Sequence, residues 1–327
     1  MASLRLSALA AAAAVVLATT SACSSGDSDS SAGSDASGGK VNLAVFASLN
    51  GAPAYAAESE GVFGDHDLDV KITTAKTSSE MVPQLIGGKV DIALLDTATS
   101  MVAASQGLDL VYIAGATDGG IPEGQEDYSF ANVWVRKDSP IKTLADLTGK
   151  TIAVPQIKSQ PWVDLKGSVD DAGGDSSKIK FTESPDPLTA LKSKQADATT
   201  TSEPVGTIER AKDELRVVGP TNSGGGGPAY VYVATGKFAK ANPELIASFG
   251  DAVREANVKV NGDSDLLVKT AAKVLNAPAD VLAKAALPVY AEKPLTVEDI
   301  ATSIAYLKRY DMFEQAAPSP QKILFKP

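Results

Sequence analysis

The sequence predicts an α/β protein of two lobes, each assembled from βαβ units. Short apolar strand patterns alternate with helical ones from residue 41 to residue 234, the spacing that parallel sheets with crossover helices require. Two glycine-rich stretches, Thr117–Phe130 and Asn222–Pro228, break that alternation. A segment in the first half, Leu85–Ala93 (LIGGKVDIA), aligns without gaps with Leu191–Thr199 (LKSKQADAT) in the second, with Leu and Asp in the same register. Each copy reads as a helix end, a tight turn and an Asp entering a strand, so the two lobes are expected to repeat one plan.

Residues 1–22 read as a secretory signal: Arg5 supplies a positive start, Leu6–Ala18 an apolar run, and small residues follow. The run is shorter than the about 20 apolar residues of a spanning helix. Cys23 is the only cysteine, so no internal disulfide is possible. It follows Ser21-Ala22 directly and resembles a bacterial lipobox, with Thr20 where Leu is usual. The resemblance implies lipidation of Cys23 and anchoring on the extracytoplasmic face of the cell membrane, since two acyl chains anchor stably. An ordinary cleaved signal with an idle cysteine is the other reading. Ser24–Gly39 contains only Ser, Gly, Asp and Ala. Such a segment buries too little to offset its ordering entropy and reads as a flexible linker over 23–39.

Strands are expected at Val41–Phe46, Leu68–Ile72, Asp91–Leu95 and Leu110–Ala114, with helices at Ala54–Glu60, Ser79–Ile86 and Thr97–Gln106 between them. Gly87-Gly88 and Gly107 close two of those helices as C-terminal glycines do. After the first break come strands at Val133–Arg136, Thr151–Val154, Lys178–Thr182, Asp197–Thr200 and Leu215–Val218. The helices among them are a short capped turn from Thr143, then Trp162–Ala172, Pro187–Lys194 and Pro204–Lys212. A strand at Ala229–Ala234 follows the second break. The remainder is helical. Asn242-Pro243-Glu244 is a helix start, and Ser264–Leu275, Pro278–Leu287 and Thr296–Arg309 follow. Lobe 1 is expected to comprise 40–120 and 235–327, and lobe 2 to comprise 121–234, with the two breaks as hinge crossings.

The net charge of −10 argues against nucleic-acid binding, which needs basic patches. Gly149-Lys150-Thr151 lacks the earlier glycine of a phosphate loop, because position 144 is Leu144, and it runs from helix to strand. Gly224–Gly227 precedes no helix and reads as a flexible connection. His66, the only histidine, sits in a polar turn (GDHD) and reads as a surface residue. One histidine there supports no Ser-His-Asp or Cys-His arrangement. No His/Cys cluster suggests a metal, and no cofactor is expected.

Taken in order, several segments resemble the substrate-binding proteins of nitrate, sulfonate and taurine importers, a superfamily that includes thiamine-pyrimidine-precursor binders and related synthases. The carrying segments are Ala56–Phe63, Asp67–Val70, Leu85–Ala93, Val135–Ile141, Asp146–Val154, Ala196–Ala198, Glu203-Pro204 and the Asn-Pro-Glu helix start. The resemblance implies a type II periplasmic-binding-protein-like fold and hinge closure on a small-molecule solute. It also implies delivery to an ABC permease and ATPase, by a chain expected to be a monomer. An enzyme like the related synthases is a rival. Those rely on a histidine and a cysteine-rich metal segment, and no cysteine stands near a cleft loop here. A binding module that feeds a signalling receptor is the third reading.

Four loops are expected to face the cleft: Ser48–Tyr55, Asp96–Thr99, Lys158–Trp162 and Ser202–Pro204. The candidate ligand-binding residues in them are Ser48, Asn50, Tyr55, Asp96, Thr97, Thr99, Ser159, Gln160, Trp162 and Glu203. Thr97, Thr99, Ser159 and Gln160 stand at helix starts, where they either cap the helix or donate to a ligand. Free N–H groups there favour an anion. Trp162 and Tyr55 either stack on a planar ligand or pack against their own lobe. Asp96 and Glu203 either read an amino group or hold structure. Lys158 is the only cation in these loops. Two ligand chemistries stay open: an alkanesulfonate-like anion on helix N-termini, or a neutral or amine-bearing ring against Trp162.

Overall fold

The structure, a computed structural model, describes residues 39–326. The expected signal, linker and lipidation at Cys23 lie outside the described residues. In chain order the strands are β1 (Gly39–Phe46), β2 (Leu68–Ala75), β3 (Ile92–Asp96), β4 (Leu110–Thr117), β5 (Ala131–Arg136), β6 (Thr151–Val154), β7 (Lys180–Glu183), β8 (Ala198–Ser202), β9 (Leu215–Pro220) and β10 (Tyr230–Thr235). They form two five-stranded sheets, ordered β2-β1-β3-β10-β4 and β7-β6-β8-β5-β9. The α/β fold of two lobes is therefore as expected. In each sheet the antiparallel strand is the one that enters from a crossing: β5 pairs antiparallel with β8 and β9, and β10 with β3 and β4.

The strand expected at Ala229–Ala234 corrects the lobe boundary. It belongs to the first sheet, not to lobe 2. The glycine-rich stretch before it is itself the return crossing, and Val231 and Val233 fill the lobe 1 side of the core, fully buried. A second correction concerns Pro278–Leu287. Only Ala279–Leu282 is helical. The chain then loosens into turns ahead of Pro288, whose ring disfavours helical backbone in the preceding residue.

The repeated segment has a structural meaning in both lobes. Lys89 N donates to Gln84 O at 2.9 Å, and Gln195 N donates to Ala190 O at 2.9 Å. Each bond closes a helix end through a left-handed residue, Gly88 at φ 68° and Lys194 at φ 63°. The echoed Asp then joins the neighbouring parallel strand. Asp91 N donates to Asn42 O and Asp197 N to Thr151 O, both at 2.8 Å. In return each carboxylate accepts from that strand, from Asn42 N at 2.8 Å and from Thr151 N at 2.9 Å.

The crossings are packed, which corrects the reading of Gly224–Gly227 as a flexible connection. Gly120 N donates to Ser223 O at 2.6 Å, tying one crossing to the other. A Cβ on Gly119 would stand 2.0 Å from Gly227 O. Gly225, at φ 58°, lies under the Tyr306 ring, where a Cβ would meet ring carbon at 2.4 Å. Tyr306 belongs to the helix Val297–Arg309, whose Ile300, Ile304 and Leu307 are buried. That helix also reaches lobe 2: Tyr306 OH donates to Val163 O at 3.0 Å and Arg309 pairs with Asp171 at 3.2 Å. One apolar cluster accordingly contains Met81 and Leu95 of lobe 1 with Val163 and Val169 of lobe 2.

Candidate functional site

Two helix N-termini meet between the lobes. The chain leaves β3 at Asp96 and enters the helix Thr97–Ser105; in lobe 2, Ser159 precedes the helix Gln160–Asp171. Asp96 Oδ1 accepts from Thr99 N at 2.8 Å, capping its own helix. The same oxygen accepts from Gln160 N of the opposite lobe at 3.2 Å. Gln160 returns the contact, since its Oε1 accepts from Ala98 N at 3.0 Å. The N–H groups of Ala98, Thr99 and Gln160, at the helix starts expected to favour an anion, thus donate to the side chains of Asp96 and Gln160 at the joint. Burial raises the Asp96 carboxyl above its ordinary range, opposed by these hydrogen bonds.

Gln160 also connects inward. Its Nε2 donates to Asp164 Oδ1 at 2.8 Å, one turn along the helix. Asp164 accepts further from Gly224 N at 2.9 Å and from Ser223 Oγ at 3.1 Å, both in the second crossing. No Lys, Arg or His among the described residues joins this set. Burial pushes the Asp164 carboxyl up to about 7, although the hydrogen bonds pull the other way.

Beside this joint lies a cavity of about 270 Å³. Lobe 2 supplies most of its lining: the end of β8 (Thr200, Thr201, Ser202), four prolines (Pro155, Pro161, Pro185, Pro187), Phe130, Leu188 and Asp164. Lobe 1 supplies Tyr230, packed edge-on to Phe46 with ring centroids 5.7 Å apart. The Thr201 hydroxyl is buried without a partner. Among the described residues that line the cavity, Asp164 and Asp186 are charged and none is Lys, Arg or His.

The expected residues divide around this geometry. Asp96, Thr97, Thr99, Ser159 and Gln160 come together at the joint, and none of them lines the cavity. Thr97 Oγ1 donates to Pro228 O at 2.7 Å and Ser159 Oγ to Gln156 O at 2.8 Å, so both hydroxyls are engaged. Asn50 is buried with a free Oδ1 beside Tyr230, and the Ser48 hydroxyl is likewise buried without a partner. Neither lines the cavity. Tyr55 packs in the lobe 1 core, where burial pushes its hydroxyl up to about 12. Trp162 packs against Phe181 of its own lobe, with ring centroids 5.4 Å apart. Glu203 turns inward: it accepts from Tyr128 OH and, at 3.0 Å, from both Thr207 N and Thr207 Oγ1. His66 is half-buried, 3.0 Å from Glu255, and does not line this cavity.

Sequence reasoning missed Asp164, Phe130, Thr201 and Tyr230. Asp164 had a signal, since it follows Gln160 by one helical turn on the same face. Phe130 ends the first glycine-rich break and Tyr230 follows the second by two residues, which is the other available clue. No group of His, Cys, Asp and Glu among the described residues is placed to hold a metal ion, and no helix among them is long and apolar enough to cross a membrane.

Comparison with known proteins gives three findings. The family model described as NMT1/THI5 like matches residues 48–260. No curated protein matches the sequence. Many solved structures share the fold. The periplasmic aliphatic sulphonate binding protein SsuA from Escherichia coli aligns with TM-score 0.70 and 19% identity, over 88% of this chain and 92% of that one. A ligand-binding component of an ABC-type import system from Staphylococcus aureus aligns with TM-score 0.72 and 12% identity, over 88% and 96%. The periplasmic nitrate-binding protein NrtA from Synechocystis PCC 6803 aligns with TM-score 0.69 and 12% identity, over 87% and 86%.

Proposed function

We propose that this chain, which belongs to the NMT1/THI5-like family, is an extracytoplasmic solute-binding lipoprotein that captures a small organic solute between its lobes and delivers it to an ABC importer. The family, the shared fold and the interlobe cavity support this reading. The named neighbours bind sulphonate or nitrate or serve an ABC-type import system. The chain's own chemistry narrows the solute class. The cavity offers hydroxyls, proline and aromatic faces and two carboxylates, with no cation in its lining. The helix N-termini beside it are already occupied by Asp96 and Gln160. An anion would enter without a compensating charge, which is costly in a desolvated site. A neutral or amine-bearing ring fits instead: it can lie against the prolines and Tyr230 and meet the free Thr201 hydroxyl.

The single observation that carries the solute class is this cation-free lining. The test is a thermal-shift panel of aminopyrimidines, thiamine and small amines against alkanesulfonates, taurine and nitrate. A ligand that binds only the folded state raises the melting temperature with the logarithm of its saturation. Shifts from the first group alone are expected; a shift from a sulfonate or nitrate would overturn the solute class. For the anchor, Cys23→Ala is expected to release the protein from the membrane fraction, and unchanged retention would refute it. The enzyme reading gains nothing from the geometry, because His66 stands outside the cavity.

A further inference from the structure

A second chamber adjoins the first on the hinge side. It measures about 220 Å³ and shares Phe130, Ala131, Thr221, Ser223 and Tyr230 with the first, so the two adjoin along these residues. Its remaining walls come from the first crossing, Thr117–Pro122, and from the loop at Pro288 and Val289. That loop is fixed. Asp118 N donates to Val289 O at 3.0 Å, and Ala291 N to Ala116 O at 3.1 Å.

Three features of this chamber point to a ligand. Thr117 lines it, is 3% exposed, and carries a hydroxyl with no hydrogen-bond partner. A buried hydroxyl without a partner forgoes a hydrogen bond, which a bound polar group would restore. The charge in the lining comes from Asp118 alone; no Lys, Arg or His is among the described residues there. Ile121 and Val289 also line it, and both are large apolar side chains left exposed, at 36% and 44%. Val205 does the same at the first chamber, at 38%. Exposed apolar side chains gathered at a cavity are a binding signature more than a folding one.

We propose that this hinge-side chamber is a second subsite, which takes an amine- or hydroxyl-bearing arm of the solute while the flat part lies in the first chamber. The inference rests on the solute-binding reading above. The arm would donate to or accept from Thr117 Oγ1, with Asp118 supplying the negative field and Ile121 and Val289 covering its apolar stem. Solute length, and not ring chemistry alone, would then govern affinity.

Disulfide capture tests the chamber without knowledge of the natural solute. In a Cys23→Ser background an added cysteine is the only thiol. Val289→Cys places it at the chamber on an exposed residue, and Ile86→Cys, also exposed, serves as the control away from it. Each variant is equilibrated, under a thiol buffer, with disulfide-linked fragments of equal length that end in an amine, a hydroxyl or a sulfonate. At Val289→Cys the amine and hydroxyl fragments are expected to be captured at least fivefold over the sulfonate. Adding Thr117→Val is expected to remove most of that preference. At Ile86→Cys only the weak preference set by net charge is expected. Equal capture of all three fragments at Val289→Cys, or a preference no greater than at Ile86→Cys, overturns the subsite. The thermal-shift panel fails or succeeds independently, so the loss of one reading is distinguishable from the loss of the other.

Discussion

The two lobes share a strand order and a helix-turn-Asp segment, yet they use the next residues in opposite ways. Continuing the register of the echo, Asp96 ends β3 and Thr97 opens a helix, while Ser202 ends β8 and Glu203 follows. In lobe 1 the acid points across the joint and caps the other lobe's helix. In lobe 2 the acid points inward to Tyr128 and Thr207. The lobe 2 face is thereby left to hydroxyls, Thr200 through Ser202, and these line the cavity. One frame supplies the latch and the other supplies the binding surface.

The largest effect is expected from breaking the latch. Asp96→Ala removes a buried acceptor from two helix N-termini and is expected to cost about 3 kcal/mol by urea unfolding. It should also enlarge the radius of gyration in small-angle scattering. Glu203→Ala is expected to destabilise comparably without changing that radius, because its partners lie within lobe 2. Equal scattering from the two variants would erase the distinction between the lobes.

The crossings come next. Gly119→Ala drives a Cβ into Gly227 O and is expected to cost about 2 kcal/mol, within the range of overpacked sites. A neutral outcome in chemical unfolding would mean that the crossings are looser than their contacts indicate.

Asp164 gives a pH dependence with a definite sign. Its folded pKa, about 7, lies above the ordinary value of 3.8. The proton is therefore held more tightly in the folded state, and that stabilisation is full below the ordinary carboxyl range and is lost as pH rises through 7. Asp164→Asn mimics the protonated form at every pH. Its melting temperature relative to wild type is expected to rise between pH 5 and pH 8, and a flat difference would remove Asp164 from the account.

The smallest effect sharpens the echo itself. Lobe 1 has Gly88 where lobe 2 has Lys194, both with positive φ. A side chain in that region costs about 1 kcal/mol. Lys194→Gly is expected to stabilise by up to about 1 kcal/mol in denaturant titration, and Gly88→Lys to destabilise by a similar amount.

Local elements were legible because their signals are local. The strands at Val41 and Thr151 and the capped turn from Thr143 all sit where their own residues place them. The sheet to which β10 belongs was not legible, since an isolated strand carries no record of its pairing partner. Site residues divide the same way. The loops that meet at the joint were readable from strand ends and helix starts. The directions of Glu203 and Trp162 were not, because Tyr128 and Phe181, distant in sequence, hold them. The glycines at 224–227 looked like slack from composition; the Tyr306 ring against Gly225 and the Ser303 hydroxyl against Gly227 show why side chains are excluded at those two positions.

The central claim is that a solute binds in the interlobe cavity. Its most direct test is calorimetric titration of the ligand with the largest thermal shift into wild type and Val205→Trp. Val205 is exposed at the cavity, so the indole can obstruct entry without disturbing the core. The account predicts saturable one-to-one binding to wild type and at least a tenfold loss in Val205→Trp, with the unliganded melting temperature unchanged. Equal affinity in the two proteins would place the ligand elsewhere and contradict the account.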